Sequence, residues 1–105
     1  MNNRTKIEKK SVRLDVGGGV LDKNKIDRYK RYVGEDYDPS EFTVIDVTAL
    51  AGVNLVCDLT QGLPLVGGSV DEVVCVHVLE HIGDLKGIMR EIHRVLKPGG
   101  SLKIW

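Results

Sequence analysis

The sequence predicts an α/β fold in which a mostly parallel sheet of about five strands lies between two layers of helices. Short apolar segments alternate along the chain with segments of helical periodicity, which is the pattern of strand–helix–strand units. One apolar segment, Val70–Val76, is nearly continuous, as in a strand buried on both faces. Gly17, Gly18 and Gly19 directly follow the first apolar segment. Ligands of such sheets bind beyond the carboxyl ends of the strands, so functional residues are expected there.

Length and composition fit a single domain. The chain has 105 residues, 42% of them hydrophobic, and its 15 basic and 15 acidic side chains cancel. We expect residues 1–10 to be a flexible charged tail and residues 11–105 to form the domain. The apolar runs are far shorter than the roughly 20 residues that cross a bilayer, and no signal-peptide core is present. A cytoplasmic protein with no membrane partner is expected, and the balanced charge gives no reason to expect nucleic acid.

The first half of the chain predicts three strands and one helix. Ser11–Val16 alternates apolar and polar residues before the glycine turn, which predicts the first strand. Asp22–Val33 has helical spacing of apolar residues, and Gly34 is a suitable end for this helix. The β-branched segment Phe42–Val47 predicts the second strand, and Leu55–Asp58 predicts the third.

The second half predicts the central strand, a helix and a fifth strand. Val70–Val76 is the fourth strand, at the centre of the sheet. Asp84 is a good N-cap, and the residues after it keep one apolar face at i, i+3, i+4 spacing: Leu85, Ile88, Met89, Ile92, Val95 and Leu96. The turn-forming segment Lys97–Gly100 ends this helix, and Ser101–Trp105 begins the fifth strand.

No metal site is expected from the histidines and cysteines. His77 and His81 are four residues apart with Glu80 between them, but this order is not that of the H-E-x-x-H motif. Cys57 and Cys75 each lie within an apolar run, where cysteine usually packs as a small hydrophobic side chain. Free, buried thiols are therefore predicted.

The glycine turn indicates a nucleotide-type cofactor. Glycines after a strand allow close approach of the backbone to a ligand, with a helix N-terminus behind them. A dinucleotide fingerprint would need a third glycine where this chain has Asp22. With Asp15 before it, the turn resembles motif I of the class I methyltransferases. The resemblance implies that Gly17, Gly18 and Gly19 pass under the methionine part of S-adenosyl-L-methionine and that Asp15 anchors its amino group.

A longer part of the sequence resembles one particular family. Ser69–Ile82 and Arg90–Gly100 are similar to the type 11 methyltransferase domains, and the similarity covers about residues 12–105. It implies a Rossmann-like fold, truncated relative to the seven-stranded sheet of the family because the sequence reaches only its fifth strand. It also implies an S-adenosylmethionine-dependent methyltransferase with a small-molecule acceptor, whose catalytic residues remain unassigned. The alternative is a non-catalytic or fragmentary cofactor-binding module, completed by a partner or by a second copy paired along Leu102–Trp105.

Three further strand ends supply the remaining candidate ligands. Asp46 closes the second strand, where a carboxylate can accept hydrogen bonds from both ribose hydroxyls. Asp36 is the competing ribose ligand, at the cost of making Arg31–Asp36 the second strand. The resemblance implies that Asp58 receives the adenine amino group, that the Leu59 amide meets a ring nitrogen, and that His77 lies beside the methionine part.

Overall fold

The computed structural model describes residues 11–17, 23–49 and 52–105. The five strands are β1 (Arg13–Val16), β2 (Thr43–Asp46), β3 (Leu55–Val56), β4 (Val70–Cys75) and β5 (Leu96–Ile104). The two α-helices are α1 (Lys23–Tyr32) and α2 (Leu85–Val95), and three single-turn 3-10 helices cover Pro39–Glu41, Leu59–Gln61 and Leu79–His81. The predictions for residues 1–10, Gly18 and Gly19 lie outside the described residues.

All neighbouring strands of the sheet are parallel, in the order β3-β2-β1-β4-β5. The chain moves outward from β1 through β2 to β3, then crosses to β4 on the other side of β1. The strand order therefore reverses between β1 and β4, which is the place where open parallel sheets bind their ligands. The predicted α/β, Rossmann-like fold with five parallel strands is confirmed, but β1 and not the predicted fourth strand occupies the centre of the sheet.

The two helices cover opposite faces of the sheet, because successive side chains of a strand point to opposite sides. Leu14 and Val16 share a core with the apolar side chains of α2. Asp15, between them in β1, faces α1 and accepts a hydrogen bond from the Tyr29 hydroxyl. The architecture therefore has three layers. Among the described residues, no helix has the length and apolar content needed to span a membrane.

Helix α2 begins as its sequence predicts. The Asp84 side chain caps it by accepting a hydrogen bond from the Gly87 amide at 2.9 Å. Ile88, Ile92 and Val95 are buried, but Leu85 is 47% exposed, so the buried stripe is narrower than the predicted apolar face.

The segment Lys97–Gly100 corrects the predicted boundary between α2 and the fifth strand. Strand β5 already begins at Leu96, which pairs with Val70, and the next pair is Glu72 with Ser101. Residues 97–100 therefore form an outward bulge inside the strand. A Cβ at Gly100 would lie 2.9 Å from the Lys97 carbonyl oxygen and 3.0 Å from that of Asp71, so the bulge closes only with glycine there.

The packing of α2 on the sheet predicts a large loss of stability when Ile92 is truncated. Ile92 is 1% exposed, and Ile92→Ala should lower the free energy of unfolding by about 2–5 kcal/mol through lost burial and the cavity left behind. Urea denaturation followed by circular dichroism measures this change. Leu85→Ala on the same helix is the control and should cost less than about 1 kcal/mol; equal losses for both variants would contradict the described packing.

Candidate cofactor site

The candidate site lies at the carboxyl edge of the sheet, where the ends of β1 and β4 meet. Gly17 follows β1 with a φ of 82°, and its amide donates a hydrogen bond to the Ile45 carbonyl at 2.7 Å. A Cβ at Gly17 would lie 2.6 Å from Cγ2 and 2.7 Å from Cγ1 of Val78. Both its backbone conformation and its neighbour therefore require glycine at this turn.

Asp15 is a buried carboxyl directly beneath this turn. It is 0% exposed, and Oδ1 accepts a hydrogen bond of 3.2 Å from the Tyr29 hydroxyl. Oδ2 is buried and meets no hydrogen-bond donor within residues 11–17, 23–49 and 52–105. Burial raises the pKa of Asp15 to about 6, against the opposing effects of Tyr29 and Lys25. A buried carboxyl with an oxygen to spare fits a cationic donor such as the amino group of S-adenosylmethionine.

Tyr29 is a part of this site that the sequence did not reveal. Its apolar position in α1 predicted only packing, whereas the hydroxyl holds Asp15 and the ring lies 5.1 Å from that of Tyr37. Burial and the neighbouring Asp15 carboxyl raise the pKa of Tyr29, so its hydroxyl stays a donor. A tyrosine rather than phenylalanine on a core-facing helix position was the only available signal.

Asp46 is the acid that ends β2. It is half-buried, Oδ1 accepts a hydrogen bond from the Thr48 amide at 3.3 Å, and its charge contributes to the raised pKa of Asp15. The alternative prediction, in which Arg31–Asp36 forms the second strand and Asp36 closes it, is wrong. Arg31 and Tyr32 belong to α1. Asp36 is exposed in the turn after that helix. The ribose role of Asp46 stays a prediction.

Asp58 and Leu59 follow β3 at the same edge. Asp58 is exposed and caps the 3-10 helix Leu59–Gln61. Its Oδ1 accepts hydrogen bonds from the amide of Thr60 at 2.9 Å and from its hydroxyl at 2.7 Å. These bonds hold the pKa of Asp58 below its usual range, so the side chain is ionised. Leu59 is half-buried against the core.

His77 follows the end of β4 in a conformation that is unusual for its residue type. Its φ is 54°, a left-handed value that costs free energy in residues other than glycine and often marks functional positions. Its amide donates to the Trp105 carbonyl at 2.8 Å, and its exposed ring lies 5.4 Å from the ring of Tyr32. Glu80 and His81 lie in the separate 3-10 helix Leu79–His81, before α2.

The described part of the chain has two cysteines and several potential metal ligands. It contains no group of three or more histidine, cysteine, aspartate or glutamate side chains that could hold a metal ion. Cys57 is half-buried and Cys75 buried, and both are free thiols. Burial raises the pKa of Cys57 and raises that of Cys75 to about 12, which keeps both thiols protonated at neutral pH.

The fold and the site together define a class of protein. It has a doubly wound parallel sheet, and acidic residues at the strand ends lie with the glycine turn around the switch point. The family model for the type 11 methyltransferase domain matches residues 14–104. The chain belongs to this methyltransferase domain family.

The chain is similar to curated methyltransferases over part of their length. It is 30% identical to the ubiquinone biosynthesis O-methyltransferase of Pseudomonas syringae pv. tomato, a match covering 90% of this chain and 42% of that protein. It is 36% identical to an uncharacterized methyltransferase of Mycobacterium sp. (strain JLS), a match covering 88% of this chain and 38% of the relative. The chain thus spans about two fifths of the length of these relatives.

A solved structure shares the fold. It is the complex between the Haloferax volcanii Trm112 methyltransferase activator and a methyltransferase, with a TM-score of 0.59 and 23% identity. The match covers 94% of this chain and 46% of the chain in that structure. This likeness supports the Rossmann-like architecture.

The raised pKa of Asp15 predicts a characteristic dependence of stability on pH. The unfolded chain releases this proton near its usual pKa of 3.8 and the folded chain near 6, so the protonated carboxyl stabilises the fold at acid pH. This contribution is lost as the pH rises between these values. Relative to Asp15→Asn, the wild type should lose roughly 1–3 kcal/mol between pH 4 and 7.

Urea titrations of both proteins across this pH range measure the difference. Other carboxylates affect the two proteins equally and cancel when the free energies of unfolding are subtracted. Asp36→Asn supplies the exposed control. A difference between wild type and Asp15→Asn that stays constant from pH 4 to 7 would contradict the burial of an ionisable Asp15.

Proposed function

We propose that this chain binds S-adenosyl-L-methionine at the carboxyl edge of the sheet and takes part in methyl transfer to a small-molecule acceptor. The observation that carries the proposal is the buried, partly unsatisfied Asp15 carboxyl beside the Gly17 turn. The residues assigned to the cofactor are Asp15, Gly17, Gly18, Gly19, Asp46, Asp58, Leu59 and His77. Membership of the methyltransferase domain family supports this assignment.

Each strand-end residue would bind a different part of the cofactor. Asp15 would pair with the amino group, Asp46 would accept hydrogen bonds from the ribose hydroxyls, and Asp58 would receive the adenine amino group. Ionised carboxylates make stronger hydrogen bonds than neutral acceptors, which suits three donors of this kind. When bound, S-adenosylmethionine supplies a methyl group activated on a sulfonium. The task of the protein is then to hold the cofactor and the acceptor in reactive geometry.

The acceptor and location belong to the same proposal. Several relatives are named as O-methyltransferases of ubiquinone biosynthesis, so we propose a small molecule that accepts the methyl group on oxygen. We place the protein in the cytoplasm. The general base for the acceptor would have to lie within hydrogen-bond reach of it, and the described residues of the site leave that role unassigned.

Calorimetric titration tests the cofactor and the ribose ligand together. Wild type should bind S-adenosylmethionine and S-adenosylhomocysteine but not NAD, whose fingerprint glycine the turn lacks. Asp46→Ala should weaken binding of S-adenosylhomocysteine roughly 10- to 100-fold through loss of charge-assisted hydrogen bonds. Asp36→Ala is the matched control and should leave affinity unchanged. Absence of binding of both sulfur cofactors to folded wild type would refute the proposal.

The edge of the sheet favours a second candidate, a cofactor-binding module completed by another chain. Strand β5 lies at one edge of the described sheet, and Ile104 is 45% exposed there. Unpaired backbone groups on such an edge invite pairing with another strand. The Haloferax volcanii complex, which holds a methyltransferase with an activator, makes a protein partner a reasonable alternative to a second copy.

Sedimentation equilibrium of this chain tests the pairing of β5. Weak self-association should appear at high concentration, and Ile104→Lys should reduce it because a charge at a strand edge opposes edge-to-edge pairing. Val66→Lys, at a site that is 76% exposed in a loop, controls for the added charge. A chain that stays monomeric at every concentration would contradict the pairing of β5 with a second copy.

A further inference from the structure

Two side chains of α2 hold the loop that follows the candidate adenine ligand. Glu91 and Arg94 are one turn apart and pair through two hydrogen bonds. The Nε atom of Arg94 lies 2.8 Å from Oε2 of Glu91, and Nη2 lies 2.9 Å from Oε1. This fork geometry fixes both side chains relative to the helix.

The same pair satisfies three backbone groups of the loop between the 3-10 helix and β4. The Leu63 amide donates to Oε1 of Glu91 at 2.7 Å. The guanidinium of Arg94 donates to the Leu63 carbonyl at 2.9 Å and to the Leu65 carbonyl at 3.0 Å. We call this arrangement the Glu91–Arg94 clamp. The hydrogen bonds from Arg94 and the Leu63 amide lower the pKa of Glu91 to about 2, which keeps the carboxylate ionised.

The clamp reaches the cofactor edge through a very short connection. Asp58 caps one end of the 3-10 helix, and Gly62 follows the other end with a φ of 94°. A Cβ at Gly62 would lie 2.9 Å from Oε1 of Glu91, so the backbone passes the clamp at close range. Asp58, Gly62 and Leu63 line one shallow cavity together with both clamp residues. Fixing Leu63 therefore restricts the orientation of the whole turn that begins at Asp58.

Stability alone is a poor explanation for this arrangement. The Arg94 side chain is 42% exposed and that of Glu91 is 26% exposed, and ion pairs so accessible to water contribute little to the free energy of unfolding. What the clamp provides is a defined path for a loop whose backbone groups lack partners in a strand or α-helix. A defined path matters most where the loop carries a binding residue.

We propose that the Glu91–Arg94 clamp is a positioning unit for the adenine end of the cofactor site, acting through the turn from Asp58 to Leu63. The inference rests on the proposed function, because it assigns Asp58 as the acceptor for the adenine amino group. In this proposal the clamp residues act on the cofactor only through that turn. Their role is to hold Asp58 where it distinguishes an amino group from other substituents of the purine ring.

The test is discrimination between two ligands that differ at that amino group and in the protonation of the neighbouring ring nitrogen. S-adenosylhomocysteine carries it, whereas S-inosylhomocysteine has a carbonyl oxygen there, which the Asp58 carboxylate would repel. Wild type should prefer S-adenosylhomocysteine by roughly 10-fold or more, the effect of a charge-assisted hydrogen bond. Asp58→Asn should reduce the preference, because an amide can turn to pair with either group, whereas any contribution of the Leu59 amide at the ring nitrogen is retained.

Arg94→Lys and Glu91→Gln test the clamp itself. Lysine keeps the charge but cannot replace the planar fork, and glutamine keeps the shape but loses the carboxylate. Each variant should reduce the preference at least about 3-fold, since a mobile Asp58 turn loses part of its hydrogen bond. Arg90→Lys, at an exposed position four residues before Arg94, should retain the wild-type ratio. Circular dichroism establishes that each variant is folded. Two variants are used so that the clamp can still be tested if one of them fails to fold.

If the clamp has only a structural effect, its loss should weaken the binding of both ligands equally and leave the ratio of their affinities unchanged. That result would overturn the inference and leave the proposed function intact. A wild type that binds S-adenosylhomocysteine but shows no preference would overturn the role of Asp58 and with it the inference. Absence of any binding to folded wild type would refute the proposed function itself. Reduced discrimination in both variants, with the Arg90→Lys ratio unchanged, supports the clamp.

Discussion

The buried carboxyl of Asp15 in the central strand is the constraint on which the rest of the structure depends. A polar group at the middle of a parallel sheet costs free energy unless a partner satisfies it. Tyr29 supplies one hydrogen bond from α1 and leaves the second oxygen unsatisfied among the described residues. A fold selected only for stability would place an apolar residue there, as Leu14 and Val16 do on the opposite face. The unsatisfied oxygen of Asp15 is the feature that supports the proposed contact with the cofactor.

The glycine turn and the topology make that carboxyl useful. Because β1 and β4 are neighbours at the switch point, the chain leaving β1 meets the chain leaving β4 at Gly17 and Val78. Only a residue without a side chain allows this approach. The strained backbone of His77 lies just before Val78 on the same edge. One glycine required by close packing and one unusual backbone conformation therefore lie in the same small region as the buried Asp15 carboxyl.

The sequence predicted those parts of the molecule that depend on local pattern. Strand periodicity and the Asp84 cap are both properties of neighbouring residues, and the structure agrees with them. The contact of Tyr29 with Asp15 could not be predicted, because it depends on how α1 lies across the sheet. The choice between Asp46 and Asp36 was open for the same kind of reason, since it depended on where α1 ends.

The segment that most clearly identifies the family, Arg90–Gly100, has a mainly architectural role in this structure. Arg94 and Glu91 order the loop before β4. Gly100 lets the bulge of β5 close against the backbone carbonyl oxygen of Asp71. The carboxylate of Asp71 forms an ion pair with Lys97 in the same bulge. A recognisable motif therefore need not contain reacting groups. In methyl transfer, where the cofactor supplies the reactive methyl group, residues that set the path of binding loops can shape a site without touching the ligand.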